Sequence, residues 1–269
     1  MTSLRKLQND WENLAQIDPL GSICTDPRKD GRKWVPEEFF QTGEREIQTV
    51  LNHVQSLGLS PDRKSPALDF GCGVGRLTAP LSRYFAECWG VDIAPTMIEL
   101  AKEFHKNNCR CKFLLNQADH LPSFSDGNFG FIYSSIALQH MKETYVRSYL
   151  GELVRVLKPG GVLVFQVADR NSLTRRIRNL VGVRRRMKRL LGRRVPPALL
   201  MEMHCIAENK IRELLSTQNV QIVDVRLTNS TAPDFNGNLQ FLHEPPEHGL
   251  VSKQYCVVKN HKDGHAGWL

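Results

Sequence analysis

Apolar residues recur along this chain in two rhythms, short continuous runs and helical spacings, and from residue 66 onward the two alternate. Runs at 67–70, 88–91, 112–115, 130–134 and 162–167 predict buried strands. Between them, Met97, Leu100, Ala101 and Phe104 share one helical face over 96–106. Val146, Leu150, Leu153, Val154 and Leu157 do the same over 144–157. A further helix is predicted over 207–218, and two last strands over 220–227 and 254–258. Strand and helix in alternation imply a doubly wound α/β fold, a parallel sheet covered on both faces. The count is seven strands. The connection 229–252 has no helical pattern, so the last two strands should pair as a hairpin, with the final strand antiparallel.

Upstream, residues 1–60 predict an N-terminal helical cap. Trp11, Leu14, Ala15, Trp34, Phe39 and Phe40 are its apolar members. Ile47, Val50, Leu51, Val54 and Leu57 mark a helix over 44–57 that Gly58 and Pro61 terminate. The segment with Trp34 and the Phe39-Phe40 pair either covers the sheet or folds over a pocket, and the pattern leaves both open. The expected organisation is a cap at 1–60 packed on a domain at 61–269, with an insertion at about 169–205.

Charge changes this picture in one place. The chain carries a formal net charge of +8. Residues 169–194 hold ten Arg and Lys188 against Asp169, so the rest of the chain is slightly acidic. Leu173, Ile177, Leu180, Met187 and Leu191 fall near helical spacing there, which makes 171–191 a basic amphipathic segment, broken at Gly182 and ended by Pro196-Pro197. A solvated face, a lid that binds an anionic acceptor, and contact with an anionic membrane surface all fit it. The lack of interleaved aromatic residues argues against nucleic acid. The seven cysteines, irregularly spaced, suggest reduced thiols and a cytoplasmic protein, and no secretory signal or membrane-length apolar run is evident. His204 precedes a helix, and His243 and His248 lie in the loop 229–252, but neither these nor Cys109 and Cys111 match a metal spacing, so no metal is expected.

The candidate chemistry begins at Leu68-Asp69-Phe70-Gly71-Cys72-Gly73-Val74-Gly75-Arg76, a strand, a glycine turn and a helical pattern over 76–85. Such a turn presents backbone N–H groups to a ligand. Its spacing is G-x-G-x-G rather than the G-x-G-x-x-G of dinucleotide folds. Asp92 ends the second strand, where a carboxylate can accept both ribose hydroxyls. Gln117-Ala118-Asp119-His120-Leu121-Pro122 follows the third strand. Strand four opens into Ser134-Ser135-Ile136-Ala137-Leu138-Gln139-His140, and Leu157-Lys158-Pro159-Gly160-Gly161 leads into strand five.

In this order and spacing, over 66–168, the elements resemble class I S-adenosylmethionine-dependent methyltransferases. Gln117 and Gly130 stand where that family usually has Asp. The resemblance implies a Rossmann-like seven-stranded sheet with its last strand antiparallel, S-adenosylmethionine as cofactor, and in-line methyl transfer to a small-molecule acceptor such as a hydroxyl of a sugar or secondary metabolite. An RNA or protein acceptor docked by the Arg-rich stretch, or binding without catalysis, are the alternatives. It implies cofactor contacts from Asp69, Gly71, Cys72, Gly73, Gly75, Asp92, Ile93, Met97, Gln117, Ala118, Asp119, Ser134, Ser135 and Ile136. Asp69 would face the cofactor's ammonium, and Asp119 would be the first candidate for the adenine amine. His140, with an ordinary pKa near 6.5, is the candidate general base.

Overall fold

The computed structural model describes residues 4–29, 31–171, 202–232, 235–246 and 249–261. The basic amphipathic segment expected at 171–191, with the lid and membrane-surface roles considered for it, falls outside the described residues except for the backbone of Asn171. So do His248 and the rest of the insertion up to residue 201.

Eight strands form one sheet: β1 (Ala67–Phe70), β2 (Cys88–Asp92), β3 (Cys111–Leu115), β4 (Phe129–Ser134), β5 (Leu157–Asn171), β6 (Val220–Thr228), β7 (Phe241–Leu242) and β8 (Leu250–Lys259). Their order is β3-β2-β1-β4-β5-β8-β6-β7. The first five pair in parallel, and β8 runs antiparallel to both β5 and β6. The final strand is therefore antiparallel, and it enters the sheet between β5 and β6. The eighth strand, β7, was not expected. It is two residues on the edge of β6, too short to leave a periodic signal. β5 is also longer than its apolar run. Phe129 faces Leu157 and Phe131 faces Val162, so Lys158 to Gly161, read as a turn, loops out within a strand that continues.

Helices cover both faces. α1 (Leu4–Ile17), α2 (Pro19–Ile23) and α3 (Pro36–Ser56) form the cap, followed by α4 (Thr78–Leu81), α5 (Pro95–Phe104), α6 (Glu143–Val156) and α7 (Glu208–Ser216). α6 and α7 bury Leu150, Leu153, Leu214 and Leu215 against Leu68, Ile132, Leu163 and Phe165. On the other face, Ile47, Val50 and Val54 of α3 meet Phe131, Tyr133 and Val164. The helical pattern over 76–85 forms only the short α4.

α3 begins eight residues before the expected helix over 44–57. Pro36 fits the first helical turn, where a missing N–H costs nothing, and Glu37 and Glu38 complement the N-terminal dipole. Gly43, which reads as a break, lies inside the helix because no side chain fits there. A Cβ at this position would sit 2.0 Å from the Arg76 carbonyl oxygen. The helix thus packs backbone to backbone on the glycine turn.

The cap shares a core with the glycine turn and α5: Ala15, Leu20, Cys24, Trp34 and Phe39 pack with Val74, Ala94 and Met97. Trp34 Nε1 donates to the Cys24 carbonyl at 3.0 Å. Trp34 and Phe39 therefore hold the cap together and do not close over a pocket. α1 is tied across the sheet's carboxyl edge at two places. The Leu4 N–H donates to Tyr145 Oη at 3.0 Å. The Glu12 carboxylate accepts from the Thr96 N–H and hydroxyl at 3.0 and 2.5 Å, in the first turn of α5. Among the described residues no helix is long and apolar enough to cross a membrane.

Candidate functional site

The chain winds one way from β1 to β3 and the other way from β4 onward, so a crevice opens at the carboxyl ends of β1, β2 and β4. It is a largely apolar cavity, open on one side. Its floor is Phe70, Gly71, Cys72, Gly73, Val91 and Asp92. Ile93, Met97 and Asn116 form one side and Ser135, Ile136, Ala137, Met141 and Tyr149 the other. Leu7, Trp11 and Ile23 of the cap close over it.

The glycine turn is built for close approach. Gly71, Gly73 and Gly75 have φ of +80°, +52° and +83°, which side chains rarely adopt. Four of its N–H groups, however, are occupied within the chain. Those of Gly71 and Cys72 donate to the Val91 carbonyl at 2.8 and 3.0 Å, and that of Gly75 donates to the Cys72 carbonyl at 2.9 Å. The Gly73 N–H donates to Asp92 Oδ2 at 2.9 Å. With these four amides engaged, the turn is a poorer seat for a phosphate than an open amide cradle.

Asp92 is held from two sides, since the Ala94 N–H donates to its Oδ1 at 2.9 Å. Each oxygen keeps a lone pair for a further donor. Burial raises its carboxyl above the usual range, and the amides of Ala94, Gly73 and Ile93 oppose that rise.

Of the residues expected at a cofactor, Gly71, Cys72, Gly73, Asp92, Ile93, Met97, Ser135 and Ile136 line the cavity, and Asp69, Gly75, Gln117, Ala118, Asp119 and Ser134 do not. Asp69 points to the opposite face from Phe70 and is 1% exposed. Its Oδ2 accepts from Thr78 Oγ1 at 2.6 Å, and its Oδ1 has no partner. Ser134 Oγ is turned onto the Phe70 carbonyl at 2.9 Å. Gln117 and Asp119 are exposed, and Asp119 faces His120 at 3.1 Å. The reason is that this loop is tied down through its backbone. Asn116 Nδ2 donates to the Ala118 and His120 carbonyls, and Tyr149 Oη donates to the Ala118 carbonyl at 2.5 Å.

His140 also stands off the wall. It is 9% exposed, and burial lowers its imidazole to about 4. Its ring meets Trp11 edge to face at 5.2 Å. A proton acceptor that weak and that enclosed does not suit the base role. The wall residues that sequence reasoning missed are Asn116, directly after β3, and Tyr149, hidden in the apolar face of α6. Leu7, Trp11 and Ile23 of the cap were also missed as wall residues.

Burial pushes the Asp69 carboxyl up to about 7 from an ordinary 3.8, against the lowering effects of Thr78 and Arg76. The native state then binds this proton more tightly than the unfolded chain does. The stabilising contribution is complete below about pH 4 and is lost as pH rises through about 7. Urea midpoints should fall between pH 5.5 and pH 8, and Asp69→Asn should flatten that fall. An equal fall in the variant would remove the assignment.

A parallel sheet wound in both directions with an antiparallel strand beside β5, and an apolar crevice bordered by a glycine turn and a strand-end carboxylate, define the class I methyltransferase fold. Residues 68–165 match the family model for a methyltransferase domain. The 2-methyl-6-phytyl-1,4-hydroquinone methyltransferase of Synechocystis is 39% identical over 106 residues, which is 39% of this chain and 32% of that protein. Sterol 4-C-methyltransferase of Caenorhabditis elegans is 32% identical over 136 residues, 49% of this chain and 39% of that protein. The chain thus spans about a third of the length of the first of these curated relatives and two fifths of the second. Among solved structures, the magnesium protoporphyrin IX methyltransferase of Synechocystis with bound SAH superposes with a TM-score of 0.55 at 16% identity, covering 81% of this chain and 84% of that one. A SAM-dependent methyltransferase of Leishmania major gives 0.60 at 14% identity, covering 94% and 82%. These likenesses are to the fold.

Proposed function

We propose that this chain is an S-adenosylmethionine-dependent methyltransferase that acts on a small-molecule acceptor with an apolar body. The observation that carries the reading is Asp92. Two backbone amides lock its carboxylate at the end of β2, facing a cavity whose glycine turn already spends the amides of Gly71, Cys72, Gly73 and Gly75 within the chain. That combination suits a nucleoside with a ribose diol and no phosphate. S-adenosylmethionine has that chemistry, and when bound it supplies a methyl group on a sulfonium.

The chain's own residues then bind, align and exclude water. Asp92 accepts the ribose hydroxyls. Ile93, Met97 and Asn116 flank the base, and Ser135 and Ile136 border the methionyl half. Orientation of this kind is worth roughly 7–11 kcal/mol of barrier. On the remaining wall, Leu7, Trp11, Ile23 and Met141 offer apolar surface. Among the described lining residues the charged groups are Asp92 and Arg76, and Arg76 is paired with Glu46. An apolar acceptor fits this wall better than a sugar or an anion, and a nucleophile acidic enough to ionise unaided suits a wall without an exposed imidazole. The relatives named for a phytyl hydroquinone and a sterol support an apolar acceptor.

Titration calorimetry with S-adenosylmethionine, S-adenosylhomocysteine and NAD tests the cofactor half. Binding of NAD alone would overturn it. A panel of prenylated phenols, sterols and hexoses, read by S-adenosylhomocysteine release, tests the acceptor half. Turnover is expected on the apolar members, and turnover on hexoses alone would overturn it.

A further inference from the structure

A buried chain of hydrogen bonds runs beneath the cavity wall, and Gln139, His140, Gln166 and Ser252 within it do not line the cavity. It starts at Ile136, whose φ of +61° is strained for a β-branched residue and persists only where the surroundings enforce it. The Ile136 N–H donates to Gln166 Oε1 at 2.9 Å. Gln166, in β5 and 1% exposed, donates through Nε2 to Gln139 Oε1 at 2.9 Å and to Ser252 Oγ at 2.6 Å. Gln139 Nε2 lies 3.3 Å from His140 Nε2, and His140 Nδ1 lies 3.2 Å from the Glu202 carbonyl.

The two ends fix every orientation between them. A backbone N–H can only donate and a backbone carbonyl can only accept. Gln166 must therefore present its oxygen to Ile136 and its NH₂ to Gln139. Gln139 in turn presents its NH₂ to His140, whose Nε2 can then hold only a lone pair, so the imidazole proton sits on Nδ1 and donates to Glu202. A second proton would point Nε2–H at the Gln139 NH₂, which has no acceptor to offer.

We infer that Gln166 is a positioning residue: through one polarity-locked relay it holds the Ile136 turn on one side of the cavity and, by way of Gln139 and a neutral Nδ1–H His140, seats Trp11 on the other. Trp11 meets the His140 ring edge to face, and both Trp11 and Ile136 line the cavity. β5 thereby couples the cap helix to the turn after β4. The groups facing His140 are the Trp11 indole, the Gln139 amide, the Glu202 carbonyl and His204, whose charge would further disfavour a cation here. The claim about the ligand rests on the proposed function, while the relay itself does not.

The test is nitrogen-15 NMR of the histidine rings in the whole chain, with no ligand present. Wild type at pH 7 should show His140 neutral with its proton on Nδ1, although free imidazole favours the other nitrogen. A proton on Nε2, or a charged ring, would overturn the relay. Gln166→Glu keeps an acceptor for Ile136 but can no longer donate to Gln139. The Gln139 amide should flip to donate to the new carboxylate and turn its oxygen to His140 Nε2. The His140 midpoint should then rise by about two units or more, as an imidazole gains an acceptor and a nearby anion. An unmoved midpoint in a folded Gln166→Glu would overturn the proposal, and if that variant does not fold, the wild-type tautomer decides alone. Gln166→Leu, which frees Ile136, should raise the KM for S-adenosylmethionine about tenfold with a smaller change in kcat. An unchanged KM would refute the positioning role. If wild type bound no S-adenosylmethionine at all, the functional reading would fail and the tautomer result would stand.

Discussion

Asp92→Ala is expected to weaken S-adenosylmethionine binding by about 100-fold or more, measured by calorimetry, while the far-ultraviolet spectrum stays native. Hydrogen bonds to a charged acceptor contribute about 1.5–3 kcal/mol each, and a ribose diol offers two. The variant also releases the Gly73 and Ala94 amides, so the turn and the start of α5 lose the anchor that fixes the cavity floor. Asp92→Asn keeps one acceptor oxygen and presents an NH₂ to one of those amides, and should fall between wild type and Ala. A loss under about threefold in Asp92→Ala would leave the ribose without its assigned partner.

Glu46→Ala should be the most destabilising single change on the cavity's far side, by about 3–5 kcal/mol in urea unfolding. Glu46, from α3, is fully buried, and Arg76 is 2% exposed. Arg76 Nη2 donates to Glu46 Oε2 at 2.8 Å, Tyr133 Oη donates to Glu46 Oε1 at 2.8 Å, and Arg76 Nη1 reaches Thr42 Oγ1 at 3.3 Å. Glu46, with its hydrogen bond, holds the guanidinium charged against burial. Removing Glu46 strands that cation and the Tyr133 hydroxyl in the core. A buried pair is costly to break yet often replaceable as a whole. The triple variant Glu46→Leu, Arg76→Met, Tyr133→Phe should therefore recover most of the loss. A single variant within about 1 kcal/mol of wild type would show that water reaches Arg76.

The fold was largely legible because the strands of a parallel sheet are continuous apolar runs and the long helices keep their period. What escaped was set by tertiary contact. α3 runs through Gly43 because the Arg76 carbonyl fills the space beside it. β5 runs through Lys158 to Gly161 because its partners resume the ladder beyond them.

The site divides in the same way. That Asp92 borders the cavity was readable from its place at a strand end. Asp119 was not, because the direction of that loop is decided by Asn116 and Tyr149, two residues on other elements that bind its carbonyls. His140 shows the limit most plainly. Its position after β4 suggests a base, but burial, which no motif shows, encloses it and weakens it as a proton acceptor.

The place of β8 has a consequence for how the molecule is made. β8, Leu250–Lys259, is the partner of both β5 and β6. Until it leaves the ribosome, β5 and β6 each present an unsatisfied edge, and the β6–β7 pair has no sheet to join. β1, β2 and β3 can pair in succession as they emerge. The last third must wait for a segment about 80 residues or more downstream of the β5 strand it closes. Exposed strand edges held open over that interval are where nascent chains associate wrongly. Vectorial synthesis therefore makes the sheet's final insertion the step at which this fold depends most on shelter from its neighbours.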